Sequence, residues 1–132
     1  MTALLDEARR FLDLAAHDLA AFRALADLPH IRQAVAIFHA QQSVEKSLKA
    51  VYFVRGMEFR RTHDLLDLAG RLEQAGVRLP FRREELGALN PYAVEFRYDD
   101  PIALTLDKAQ VDHIAGQTLL WANALVSESG NE

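Results

Sequence analysis

The chain contains no cysteine, so a disulfide scaffold, a thiol nucleophile and thiolate metal sites are excluded from the outset. That absence is compatible with a reducing cytoplasm. Glycine and proline are scarce, at 6 and 4 residues, and there is a single tryptophan, a composition unlike that of disordered or collagen-like chains. No apolar run is long enough to span a bilayer: the segment 119–126 is interrupted by Asn123. The first residues include Asp6 and Glu7 and lack the apolar core of a signal peptide, so a cytoplasmic setting without membrane association is the expectation. Excess positive charge is missing too. A formal net charge of -4 argues against general coating of nucleic acid, while leaving room for a local basic groove.

What is present is helical periodicity. The 132 residues suit one core, and we expect a single domain over residues 1–127 with a polar, frayed tail at 128–132. A first helix is predicted over about residues 2–27, capped by Thr2, because Leu5, Ala8, Leu12, Ala15, Leu19, Phe22 and Ala26 recur at steps of three and four. Pro29 suits the first turn of a second helix, over about residues 30–55 and stopped by Gly56. A third helix is predicted from a Thr62 cap, with Asp64 in its first turn, to Gly76, its apolar side formed by Leu65, Leu68, Ala69 and Leu72. A short helical turn over residues 83–89 and an extended or irregular segment over 92–101 follow. A last helix over about residues 105–127 presents Val111, Ile114, Ala115, Thr118, Ala122 and Leu125 on one face, with Trp121 at its edge. Period-two alternation is nearly absent, so the fold class is all-α: an up-and-down bundle of four main helices plus a short one.

The second helix carries the anomaly. At about 100° per residue, Ala34, Ile37, Phe38, Gln41, Val44, Glu45, Leu48 and Tyr52 share one side, which places a glutamine and a glutamate inside an apolar stripe. Buried charge is normally paired. Glu45 therefore calls for a partner, either Lys49 at i+4 or Arg97 from the other half of the chain. Alternatively, Gln41, Glu45, Arg97 and Tyr98 line a groove that meets a ligand. His39, Gln42, Lys46 and Lys49 are expected on the opposite, more exposed side, as a solvated face or a phosphate-contacting strip.

These same residues carry a resemblance. The run from Phe38 through His39, Gln41, Gln42, Glu45, Lys46 and Lys49 to Ala50 resembles the second-helix signature of HEPN domains. Thr62-His63-Asp64-Leu65 is similar to that family's next landmark, and Arg97-Tyr98 to the pair found before its last long helix. The resemblance implies a helical bundle, commonly a homodimer, that binds nucleotides or RNA. It also implies a nucleotidyltransferase partner, often within a toxin–antitoxin module. Some HEPN proteins are metal-independent ribonucleases, marked by an Arg, four to six intervening residues and then a His near the last helix. Here the window after Arg97 holds Ile102, Ala103 and Leu104 instead. Arg10 and His17, Arg23 and His30, and Arg32 and His39 match the bare spacing, of which about one or two instances are expected by chance. Enzymatic activity is left open on this reading, with Arg32, His39 and His63 as the catalytic candidates.

The remaining signals divide between plain and functional readings. His63-Asp64 opens a helix, either as local capping or as a proton carrier beside Glu45 at a helix N-terminus suited to anions. Arg97 can clamp a phosphate and Tyr98 can stack on a base, or Arg97 neutralises Glu45. Glu95, Asp99 and Asp100 read as solvated loop charge. Arg55, Arg60, Arg61, Arg78, Arg82 and Arg83, interleaved with Phe59 and Phe81, form a local basic cluster diluted by Glu58, Glu84 and Glu85. No metal site is expected, because the five histidines lack ligand spacing, and no cofactor, because no glycine-rich phosphate loop is present. A non-catalytic adaptor that docks through Leu119, Leu120 and Trp121 is the remaining alternative.

Overall fold

The computed structural model describes residues 2–93 and 106–130, with the side chain of Thr2 left aside, so the Thr2 cap lies outside the described residues. Among the described residues, five α-helices pack against one another: α1 (Thr2–Leu25), α2 (Gln33–Val54), α3 (Leu65–Gln74), α4 (Arg83–Gly87) and α5 (Lys108–Gly130). A 3₁₀ turn, Asn90–Ala93, follows α4, and the described residues contain no strand. Among the described residues, no helix is long and apolar enough to cross a membrane.

The stripe on α1 turns inward as its spacing dictates: Ala8, Leu12, Ala15, Leu19 and Phe22 are buried, with Leu5 and Ala26 packed at its ends. Contacts of Phe11 with Phe53 and of Ser43 Oγ with the Ala15 carbonyl make α1 and α2 antiparallel. Arg23 meets Asp112 at one end of α5 while Arg9 and Leu5 lie against Gly130 at the other. Thus α2 and α5 both run against α1, and α2 is the central helix. Between residues 40 and 52 every residue of α2 except Gln42 and Lys46 is buried. The core is completed by Leu65, Leu68, Ala69 and Leu72 from α3, by Leu86, Leu89 and Tyr92, and by Val111, Ile114, Ala115, Ala122 and Val126 from α5. Val126, rather than Leu125, is the fully buried residue at the end of that face, although Leu125 packs at its margin.

Helix ends follow local chemistry and correct several boundaries. Pro29 sits in the connecting turn, where the Ile31 N–H reaches the Leu28 carbonyl, and α2 begins only after Arg32. Gly56 and Gly76 take φ of 64° and 86° and close α2 and α3 with paired bonds to carbonyls three and five residues back. Asp64, not Thr62, caps α3: its side chain accepts from the Leu66 and Asp67 N–H groups, while Thr62 Oγ1 accepts from the Asp64 N–H. Before α5, Asp107 Oδ1 accepts from the Gln110 N–H and Gln110 Oε1 from the Asp107 N–H, a reciprocal box. The helix then continues to Gly130, through residues expected to fray. Of the segment expected to be extended, Tyr92 and Ala93 belong to the 3₁₀ turn and the remainder lies outside the described residues.

Candidate functional site

A buried carboxylate needs donors, and three converge on Glu45. Its side chain is 5% exposed. Oε2 accepts from Lys49 Nζ at 3.0 Å, and Oε1 from His63 Nδ1 at 2.8 Å and from Gln41 Nε2 at 3.4 Å. The i+4 partner proposed for Glu45 is therefore in place, while the Arg97 alternative falls on a residue outside the described ones. Gln41 Nε2 also donates to the His63 carbonyl at 3.1 Å, and Gln42 Nε2 donates to Gln41 Oε1 at 2.7 Å. His63 is thus fixed through both its ring and its backbone, yet its side chain is 66% exposed.

The geometry that permits this lies in the connection from α2 to α3. After Gly56 the chain doubles back along α2. Phe59 packs edge-to-face on Tyr52 and Phe53, against Phe11, and beneath Lys49 Nζ at 5.1 Å. Four residues later His63 arrives opposite Gln41 and Glu45. Between these two anchors Arg60 and Arg61 face solvent, as does Arg55 before them. None of the three has an ion-pair partner among the described residues. Elsewhere arginines meet carboxylates: Arg10 with Glu7, Arg23 with Asp112, Arg71 with Asp67, Arg82 with Glu85, and Arg83 with Glu84 and Glu73.

The expected exposed strip of α2 is not a strip. Lys49 is buried, which corrects its placement, because α2 has neighbours on several sides and its far face meets the returning 56–63 connection. His39 Nδ1 and Lys46 Nζ both reach Asp18 of α1, at 3.1 and 2.5 Å, and form a half-buried polar pin between the two helices. Asp18 borders the α1 stripe, yet nothing in the sequence pairs it with these two cations, since the pairing exists only once α1 and α2 dock.

The anion site expected at the N-terminus of α3 is filled by the protein itself. The Leu66 and Asp67 N–H groups go to Asp64, and the Leu65 N–H goes to Asn90 Oδ1 at 2.9 Å, while Asn90 Nδ2 donates to Asp64 Oδ1. Arg32 stands at the N-cap position of α2 without a side-chain capping bond, and His39 follows two turns later, about 10 Å of axial rise away. Arg97 and Tyr98 lie outside the described residues, as do Glu95, Asp99 and Asp100. A cleft between α1 and α5, lined by Phe22, Arg23, Asp27, Lys108, Asp112 and His113, lies away from these clusters, and its Arg23–Asp112 and Lys108–Asp27 pairs neutralise it internally. Of the apolar patch, Leu120 is 62% exposed, whereas Leu119 and Trp121 pack on the core and Trp121 Nε1 donates to the Arg78 carbonyl.

With this geometry in place, comparison with known proteins gives one positive result. The profile described as HEPN domain matches residues 1–115. Neither the curated proteins nor the solved structures include a match to the chain.

Proposed function

The chain belongs to the HEPN family, and from that premise we propose that it is a nucleotide- or RNA-binding subunit that works, as a homodimer, with a nucleotidyltransferase partner. A role within a toxin–antitoxin module belongs to the same reading. The observation that carries it is the uneven distribution of paired charge. In a chain of net charge -4, the solvent-facing Arg55, Arg60 and Arg61 stay unpaired among the described residues while most arginines elsewhere meet carboxylates. Unneutralised guanidinium groups on one short connection suit phosphate, which they grip in forked geometry.

The ribonuclease alternative is favoured less, because no His follows Arg97 in the window 102–104 and His39 is held by Asp18. The adaptor alternative retains only Leu120 as a large exposed apolar residue of its patch.

The test is a binding titration of the purified protein against single-stranded RNA and AMP over a range of salt, with native mass spectrometry to read stoichiometry and retained ligand. Phosphate contacts predict a steep loss of affinity with salt, and each arginine removed from the Arg60, Arg61 pair lowers that slope by about 0.7–1. Absence of binding to either ligand at low salt would overturn the proposal.

A further inference from the structure

Glu45 is already neutralised by Lys49 on its own helix, and Gln41 adds a third polar group. A carboxylate so supplied does not require an imidazole from another segment. His63 nevertheless closes onto it at 2.8 Å, and Gln41 secures the His63 carbonyl as well. The outcome is a ring held at one nitrogen by a buried network and open to water over most of its surface.

The carboxylate only accepts, so Nδ1 carries a proton toward Glu45 and the free position of the ring is Nε2, which has no hydrogen-bond partner among the described residues. Two and three positions before His63 in the chain stand Arg61 and Arg60, solvent-facing and likewise unpaired among the described residues. The N–H groups that open α3 cannot contribute, since Asp64 and Asn90 occupy them. An anion received here gains nothing from that helix end.

We infer that His63, Arg60 and Arg61 form a phosphate-ester binding site, and that Glu45 is its positioning residue. The inference rests on the nucleotide- or RNA-binding reading above and assigns that function a place. With both ring nitrogens protonated, His63 bridges the Glu45 carboxylate and a phosphate oxygen, in a negative–positive–negative array, and the two guanidinium groups take the remaining oxygens. Glu45 does not touch the ligand. It fixes which nitrogen faces outward and where.

The experiment uses the full chain with nitrogen-labelled histidine, observed through long-range imidazole proton–nitrogen correlations. The His63 signals are assigned from their absence in His63→Gln. Titration with AMP and, separately, with a ten-nucleotide single-stranded RNA should move Nε2 of His63 saturably and the Nδ1 signal less. A shift with both ligands identifies any phosphate ester as sufficient, and a shift with RNA alone identifies the polymer as the source.

His63→Gln is expected to weaken binding about tenfold or more. Glu45→Gln is expected to do the same while broadening or splitting the His63 ring signals, a change that loss of stability alone would not produce. Should Glu45→Gln fail to fold, the wild-type titration decides by itself. RNA binding that leaves the His63 signals unmoved and is undiminished in His63→Gln would overturn the site while sparing the broader function. No binding of either ligand would overturn both.

Discussion

Glu45 and Lys49, one turn apart on α2, meet at 3.0 Å with side chains only 5% and 11% exposed. In such a place the pair is held together less by its own attraction than by the penalty of separating it. Glu45→Met strands a buried ammonium and is expected to lower stability by about 3–5 kcal/mol. The double variant Glu45→Met, Lys49→Met removes both charges and should recover most of that loss in urea unfolding. A double variant no more stable than the single one would show that the stranded ammonium is not what destabilises Glu45→Met.

Asp18 serves two cations at once, His39 and Lys46. Asp18→Ala leaves both without their acceptor at the α1–α2 seam, and a destabilisation of about 1–3 kcal/mol is expected. The denaturation midpoint should fall, with the slope of the transition unchanged.

Tyr52 is fully buried and its hydroxyl donates to the Leu68 carbonyl at 2.7 Å. Burial, assisted by the nearby charge of Asp67 and opposed by Arg71, pushes its phenol from 10.0 up to about 12. The folded state therefore keeps a proton that the unfolded chain releases. The stability this represents is complete below pH 10 and disappears as the pH rises toward 12, by about 2–3 kcal/mol. Thermal melts over that range should show a steeper decline for the wild type than for Tyr52→Phe. At neutral pH the variant loses only the hydrogen bond, about 1 kcal/mol. Parallel declines of the two proteins would refute the assignment to Tyr52.

Asn90 joins the 3₁₀ turn to the start of α3 by accepting from the Leu65 N–H and donating to Asp64. Asn90→Ala is expected to cost about 1 kcal/mol. Amide exchange offers the local reading, since the Leu65 N–H should lose protection selectively while amides in the middle of α2 keep theirs.

The legibility of the chain follows the range of the forces involved. The α1 stripe and the α3 face are readable because one side of each meets the core. The same wheel misplaces Lys49, because a central helix has no single exposed side and apolar periodicity fades where neighbours surround it. The i+4 relation of Glu45 to Lys49 is local and can be read, whereas the grip of Asp18 on His39 and Lys46 exists only between docked helices. Asn90 is legible as a turn residue but not as a clasp on Asp64, 26 positions away. The reciprocal Asp107–Gln110 box stands openly in the sequence and is the signal that places the start of α5.

One consequence concerns the connection that carries Arg60 and Arg61. Phe59 fastens one side of these residues by ring contacts, and His63 fastens the other by hydrogen bonds. A pair of arginines on a free loop would lose much of its conformational freedom when it closed on an anion. Here the backbone on either side is already fixed, so the remaining entropy loss falls chiefly on the two side chains. The folding of the protein has performed most of the ordering before any ligand arrives.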